Sequence, residues 1–150
     1  MATFRETPYG NYNFLVDLGH GDPGALQAGF AEIVLPEGYV DVIEYRNGNE
    51  KESGARKIPG RAKYTNVVLK RGVIGSLDLY QWWDQIRNGD VTGRRTVLIQ
   101  LLNEDRTAAV LTWKLLRAFP VRYKFSNLDA RGQEPLLEIL ELAYERFEME

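Results

Sequence analysis

Residues 46–63 constrain the fold more than any other stretch of this chain. They join two segments rich in β-branched and aromatic residues, Tyr39–Tyr45 and Tyr64–Arg71, which read as strands. The join is polar, punctuated by Gly48, Gly54 and Gly60 and braced by Pro59. It carries six basic residues (Arg46, Lys51, Arg56, Lys57, Arg61 and Lys63) against two acidic ones, Glu50 and Glu52. Its net charge is therefore +4 in a chain that totals −2, so everything else sums to −6. Compact domains seldom keep so long a structureless connection without using it. A surface-projecting loop that reaches another chain is the expectation.

Around that join the chain reads as mainly β. An irregular arm over residues 1–10 leads into Tyr12, Phe14, Val16 and Leu18, spaced by two as in a half-buried strand. Phe30–Leu35 reads as a second strand, followed by a turn at Pro36-Glu37-Gly38. Arg94–Leu102 and Thr107–Arg117 form a hairpin across Asn103–Arg106. Pro120 then interrupts, and Phe119, Val121, Tyr123 and Phe125 alternate again. One helix stands out, Ser76–Asn88. Ser76 is placed to cap it, Asp78 sits in its first turn, and Leu79, Trp82, Trp83 and Ile86 make one apolar stripe. Asn88-Gly89 supplies a left-handed stop.

The C-terminal run 136–148 is ambiguous. Leu136, Ile139, Leu140, Ala143 and Phe147 fit a helix, with Glu138, Glu141, Glu145 and Glu148 as a solvated face; the pattern favours that helix over a strand. Roughly seven strands and one firm helix point to an antiparallel β-barrel or sandwich, closed or nearly so, with the helix on its flank. The length suits one domain over residues 1–150.

Chemistry is scarce. The sequence has no cysteine and one histidine, His20, in a glycine-rich turn. Ser53, Ser76 and Ser126 lie outside any nucleophile-elbow context, and no spacing resembles a metal site. Gly19-His20-Gly21-Asp22-Pro23-Gly24 spells a dinucleotide fingerprint, with Asp41 or Glu44 about twenty residues on. The strand–helix repeats that such a site needs do not follow, so it reads as a turn. Trp82-Trp83 suits a core better than a sugar platform. No catalytic, cofactor or metal residue is assigned. Near-neutral charge argues against a dedicated nucleic-acid binder. No window approaches the ~20 apolar residues of a membrane span, and the first residues lack the apolar core of a signal peptide. Synthesis in the cytoplasm is expected.

Several motifs in order resemble one family. Glu44-Tyr45-Arg46-Asn47-Gly48, Lys57-Ile58-Pro59-Gly60 and Thr65–Gly72 are similar to segments of contractile-tail tube proteins, those of phage tails, R-type pyocins and extracellular injection systems. Asn13–Val16, Phe30, Trp82 or Trp83, Thr112-Trp113, Ala118-Phe119-Pro120 and Leu128-Asp129-Ala130 continue the likeness from residue 11 to the end. Val34-Leu35-Pro36 departs from the small-Gly-Leu triplet that members often carry.

The resemblance implies a structural subunit. Hexameric rings would stack into a rigid tube, with a contractile sheath around it, a baseplate and spike, tube-terminating proteins and possible cargo in the lumen. It also implies a strand, not a helix, at the C-terminus. Contact between rings or subunits falls to Arg46, Lys51, Arg56, Lys57, Pro59, Arg61 and Lys63. The core falls to Phe14, Phe30, Tyr45, Leu79, Trp82, Trp83, Ile86 and Trp113. A monomeric β-barrel that binds a ligand is the alternative.

Overall fold

Residues 2–19 and 29–150 are described by a computed structural model of the protein. His20 and all of the glycine-rich motif beyond Gly19 lie outside them. The elements are β1 (Phe14–Asp17), β2 (Glu32–Val34), β3 (Gly38–Tyr45), β4 (Arg56–Tyr64), β5 (Val67–Gly72), α1 (Asp78–Arg87), β6 (Arg95–Leu102), β7 (Ala109–Phe125), β8 (Leu137–Ala143) and β9 (Arg146–Met149). The described strands pair antiparallel in the order β1-β6-β7-β8-β5-β2, with β9 also on β7; β3 and β4 pair only with each other.

The mainly β architecture with one helix is as expected, but no closed barrel forms among the described residues. Instead β7 belongs to two layers. Its first half pairs with β6 and β9, its second half with β8. The bend falls where the β6 register slips opposite Leu116 and Arg117, and Arg117 takes a left-handed φ of 55°. Thr107–Arg117 and the following segment are thus one strand. Pro120, expected to interrupt, sits in the ladder beside a second slip between Pro120 and Arg122, where a missing N–H is tolerated.

The core lies between the layers. Val16, Val97, Ile99 and Leu115 from one meet Val67, Leu69, Leu140 and Leu142 from the other, and α1 adds Leu79 and Trp82. The helix starts at Asp78 rather than Ser76, and Leu77 is its cap residue without a side-chain bond. The Ser76 hydroxyl instead donates to Asp78 Oδ1 at 2.9 Å. Gly89 ends the helix at φ 83°. Trp82 is 1% exposed, and its indole N–H donates to Gly93 O at 2.6 Å. Replacing it with Phe strands that carbonyl and leaves a void, so Trp82→Phe is expected to cost about 2–4 kcal/mol in urea unfolding. A loss under about 0.5 kcal/mol would remove this anchor from the account.

The other core positions differ in depth. Phe14, Phe30, Ile86 and Trp113 are partly buried against the cluster. Trp83 is half-buried, facing Tyr80 and Tyr123. Tyr45 is 51% exposed, because β3 leaves the body before reaching it.

The C-terminal run is two strands, as the resemblance implied and against the helical pattern. In β8 burial alternates, with Glu138, Leu140 and Leu142 inward. Glu138 is 2% exposed, so it is no part of a solvated face. It pairs with the buried Arg71 opposite it on β5 and accepts the Tyr123 hydroxyl at 2.7 Å. Arg71 also grips Asp78 at the start of α1, tying the helix to the sheet. Burial works against the charges of Arg71 and Asp78. Their mutual bonds, with help from Glu138 and Ser76, outweigh it, leaving Arg71 raised and Asp78 lowered from their ordinary pKa values.

Candidate assembly surface

The 46–63 connection is shorter than its sequence suggests. Arg56–Tyr64 is strand β4, and only residues 46–55 turn. The Tyr64–Arg71 segment is correspondingly split, β4 ending at Tyr64 and β5 starting at Val67. Together β3 and β4 make a two-stranded ribbon running from the pair Gly38–Tyr64 to the pair Tyr45–Arg56.

Only its base rests on the body. Tyr64 packs edge-on against Phe147, with ring centroids 5.5 Å apart, and lies 5.9 Å from Tyr144. Gly38 faces the same ring, where a Cβ would come within 3.1 Å of Phe147. Tyr144 donates to Thr65 O at 2.6 Å, and burial followed by the neighbouring Tyr64 pushes its pKa up to about 12.

Beyond the base both faces are open. The register slips between Val40 and Val42, putting Gly60 and Arg61 together opposite Asp41. One face then carries Tyr39, Ile43, Tyr45 and Ile58; the other carries Val40, Val42, Pro59 and Ala62. Val42 is 59% exposed, Ile43 52% and Ile58 46%. A lone two-stranded ribbon is marginal in water, and apolar residues on both its faces gain nothing there. Covering the half that remains exposed would contribute about 1 kcal/mol for each large side chain.

Tyr39, Val40, Val42, Ile43 and Ile58 were not assigned as contact residues from sequence. The available signal was the failure of alternation in Tyr39–Tyr45, where apolar residues occupy both faces.

The basic residues divide into two groups. Arg46 bonds back to Glu50 O and Glu52 O, both at 2.9 Å, and so closes its own turn. Arg56 pairs with Glu50 at 3.0 Å and Lys63 with Asp41 at 2.8 Å. Lys51, Lys57 and Arg61 make no ion pair among the described residues. Pro59 lies in the ladder opposite Val42. Reversing Lys57 and Arg61 therefore probes outward contact, whereas reversing Arg56 also opens the turn. Lys57→Glu/Arg61→Glu should leave the melting temperature within a few degrees of wild type while reducing self-association. Unchanged association by sedimentation velocity would remove these charges from the contact.

Two further edges are open. β1 pairs only with β6 and β2 only with β5, so each offers an unpaired row of backbone groups among the described residues.

The arm before β1 is held to the body by charge. Arg5 grips Glu104 with two nitrogens, one at 2.8 Å to Oε2, and stacks 3.8 Å over Tyr9. The Arg5 bonds hold the Glu104 carboxyl down at about 2. A depressed carboxyl contributes stability above its ordinary pKa and loses it as pH falls toward the folded value. The arm should therefore stay clasped at pH 5 and release between pH 4.5 and about 2. Hydrogen exchange at Thr3, whose N–H bonds Val110 O, reads this directly.

Among the described residues no group of three metal-ligating side chains forms and no helix could cross a membrane.

No curated protein sequence matches the chain. Solved structures do. A chain in the cryo-EM structure of the anti-feeding prophage (AFP) baseplate is 30% identical, covering 97% of both chains with a TM-score of 0.83. A chain of the sheath–tube complex of the extracellular contractile injection system PVC is 28% identical over 97% of this chain and 93% of that one, also at 0.83. Hcp1 from Flavobacterium johnsoniae shares the fold at 15% identity, 91% and 93% coverage and a TM-score of 0.53. The family model of the T4-like virus tail tube protein gp19 matches residues 10–148, and the chain belongs to that family.

Proposed function

We propose that this protein is the inner-tube subunit of a contractile injection particle, a structural part with no catalytic role. The observation that carries this reading is the β3–β4 ribbon, apolar on both faces and, beyond its base, covered on neither by the described residues. In a ring or stack a neighbouring copy covers it. The free edges of β1 and β2 are paired in the same way when six subunits close, since a closed ring leaves no edge. Like the PVC chain from a sheath–tube complex, the stack would lie inside a contractile sheath, ending on a baseplate and spike below and a terminating cap above. The protein then functions within the assembled particle. The identity to the AFP and PVC chains, 30% and 28% against 15% for Hcp1, favours an injection system of that kind.

Light scattering coupled to size-exclusion chromatography at several concentrations tests this. A mass that rises with concentration to a six-subunit ring or beyond is expected. A monomer at every concentration would favour a monomeric ligand-binding module instead.

A further inference from the structure

β2, β5, β8 and the second half of β7 form one layer, and its two faces differ. Leu69, Leu140 and Tyr123 turn inward, the last toward Tyr80 and Trp83 of α1. Their neighbours along each strand point the other way. Register sets those neighbours in two rows across the four strands. One row runs Arg122, Glu141, Val68, Val34, and the other Lys124, Ile139, Lys70, Glu32.

This second face is open and carries more cations than anions. Arg122 and Lys124 are exposed, and Val34 is 48% exposed. With Lys70 they surround a shallow basin of about 250 Å³ floored by Val68 and Ile139. Both carboxylates of the two rows are engaged. Glu32 lies 3.5 Å from Lys70, and Glu141 accepts the Asn66 amide at 2.9 Å. Arg122 and Lys124 make no ion pair among the described residues.

The same layer is free at both edges. β2 pairs only with β5, and residues 119–125 of β7 pair only with β8 among the described residues. Copies joined through this layer would carry α1 and the other strands on one side of the wall. That bulk has room only on the outside of a ring, which leaves the Arg122 face toward the bore.

We propose that this face lines the bore of the tube and docks an acidic, amphipathic segment of a polypeptide cargo. This rests on the tube reading and names the chemistry of what such a tube would hold. The Arg122 guanidinium offers a planar fork to a carboxylate, with Lys124 beside it as a second cation. Val34, Val68 and Ile139 sit between the cations, so they suit leucine or valine interleaved with glutamate or aspartate. A nucleic acid fits less well. Neither row has an aromatic side chain for a base to stack on, and Glu32 and Glu141 would repel phosphates. Each exposed ion pair is weak, so retention would come from repetition of the face around and along the tube. Weak single contacts also let the cargo leave.

The test uses assembled full-length protein and a fluorescent peptide of repeated Glu-Glu-Leu, followed by co-sedimentation with the tubes. Binding that weakens with salt is expected, and none to a Lys-Lys-Leu peptide of equal length. Arg122→Gln/Lys124→Gln alters exposed side chains only, and should keep the tubes while lowering affinity at least about tenfold. Unchanged affinity would overturn the proposal, as would oligothymidine binding as tightly as the acidic peptide. The chain has no cysteine, so orientation is read separately. In tubes, Arg122→Cys should react with N-ethylmaleimide yet at least about tenfold more slowly with a bulky polyethylene-glycol maleimide than does Gln81→Cys on α1. Equal rates would put the face outside and overturn the proposal. If wild-type protein forms neither rings nor tubes, the tube reading fails and the docking face with it. The other adverse outcomes leave tubes intact and remove the docking face alone.

Discussion

Arg71→Met is expected to lose about 3–5 kcal/mol of folding stability, the largest single-residue effect in the molecule. Arg71 is 1% exposed, Glu138 2%, and the guanidinium faces both Glu138 and Asp78. Removing it leaves Glu138 charged and dry. The carboxylate keeps the Tyr123 hydroxyl but loses the cation that offset its burial. Replacing both partners, as Arg71→Met/Glu138→Leu, should recover more than half of the loss, because an apolar pair in that space costs less than a lone ion. Urea unfolding of the two singles and the double measures this coupling. A single-variant loss below about 1 kcal/mol would contradict it.

The same cluster predicts acid sensitivity. Asp78 has its pKa lowered below 3.8, so its contribution is complete above that value and is lost as pH falls through the folded pKa. Loosening of α1 from the sheet should accompany it, seen as a change in the fluorescence of Trp82 and Trp83.

The second large effect concerns assembly alone. Val42→Asp/Ile43→Asp places a charge on each face of the hairpin, at side chains already 59% and 52% exposed. Body stability should change by less than about 0.5 kcal/mol, as for other surface substitutions. Self-association should vanish, because a desolvated, unpaired carboxylate at an interface costs several kcal/mol. Sedimentation velocity and urea unfolding on the same sample separate the two effects. A variant that still assembles as wild type would show that the hairpin is not a contact.

The legible and illegible parts of this fold differ in range. The helical stripe of Leu79, Trp82, Trp83 and Ile86 is a local pattern, and it placed α1 within two residues at its start. Gly89 as a helix stop and the turn at Asn103–Arg106 are equally local. Glu138 is the opposite case. A glutamate on a leucine-rich run reads as solvated, and only its pairing with Arg71, 67 residues upstream, makes the run a strand with Glu138 inside.

The hairpin failed to declare itself for a similar reason. Tyr39–Tyr45 looks like a buried strand because both its faces are apolar. Topology alone reveals that no third strand among the described residues covers it. The charge count of residues 46–63 was right but the division of labour was hidden. Arg46 spends its donors on backbone carbonyls four and six residues away, which no count of charges can reveal.

The most direct measurement of the central claim is electron microscopy of the purified full-length protein and of the protein produced together with its neighbouring genes. The account predicts rings or rods of one uniform width, with the hairpin of each subunit covered by another. Monomers alone under both conditions would contradict it.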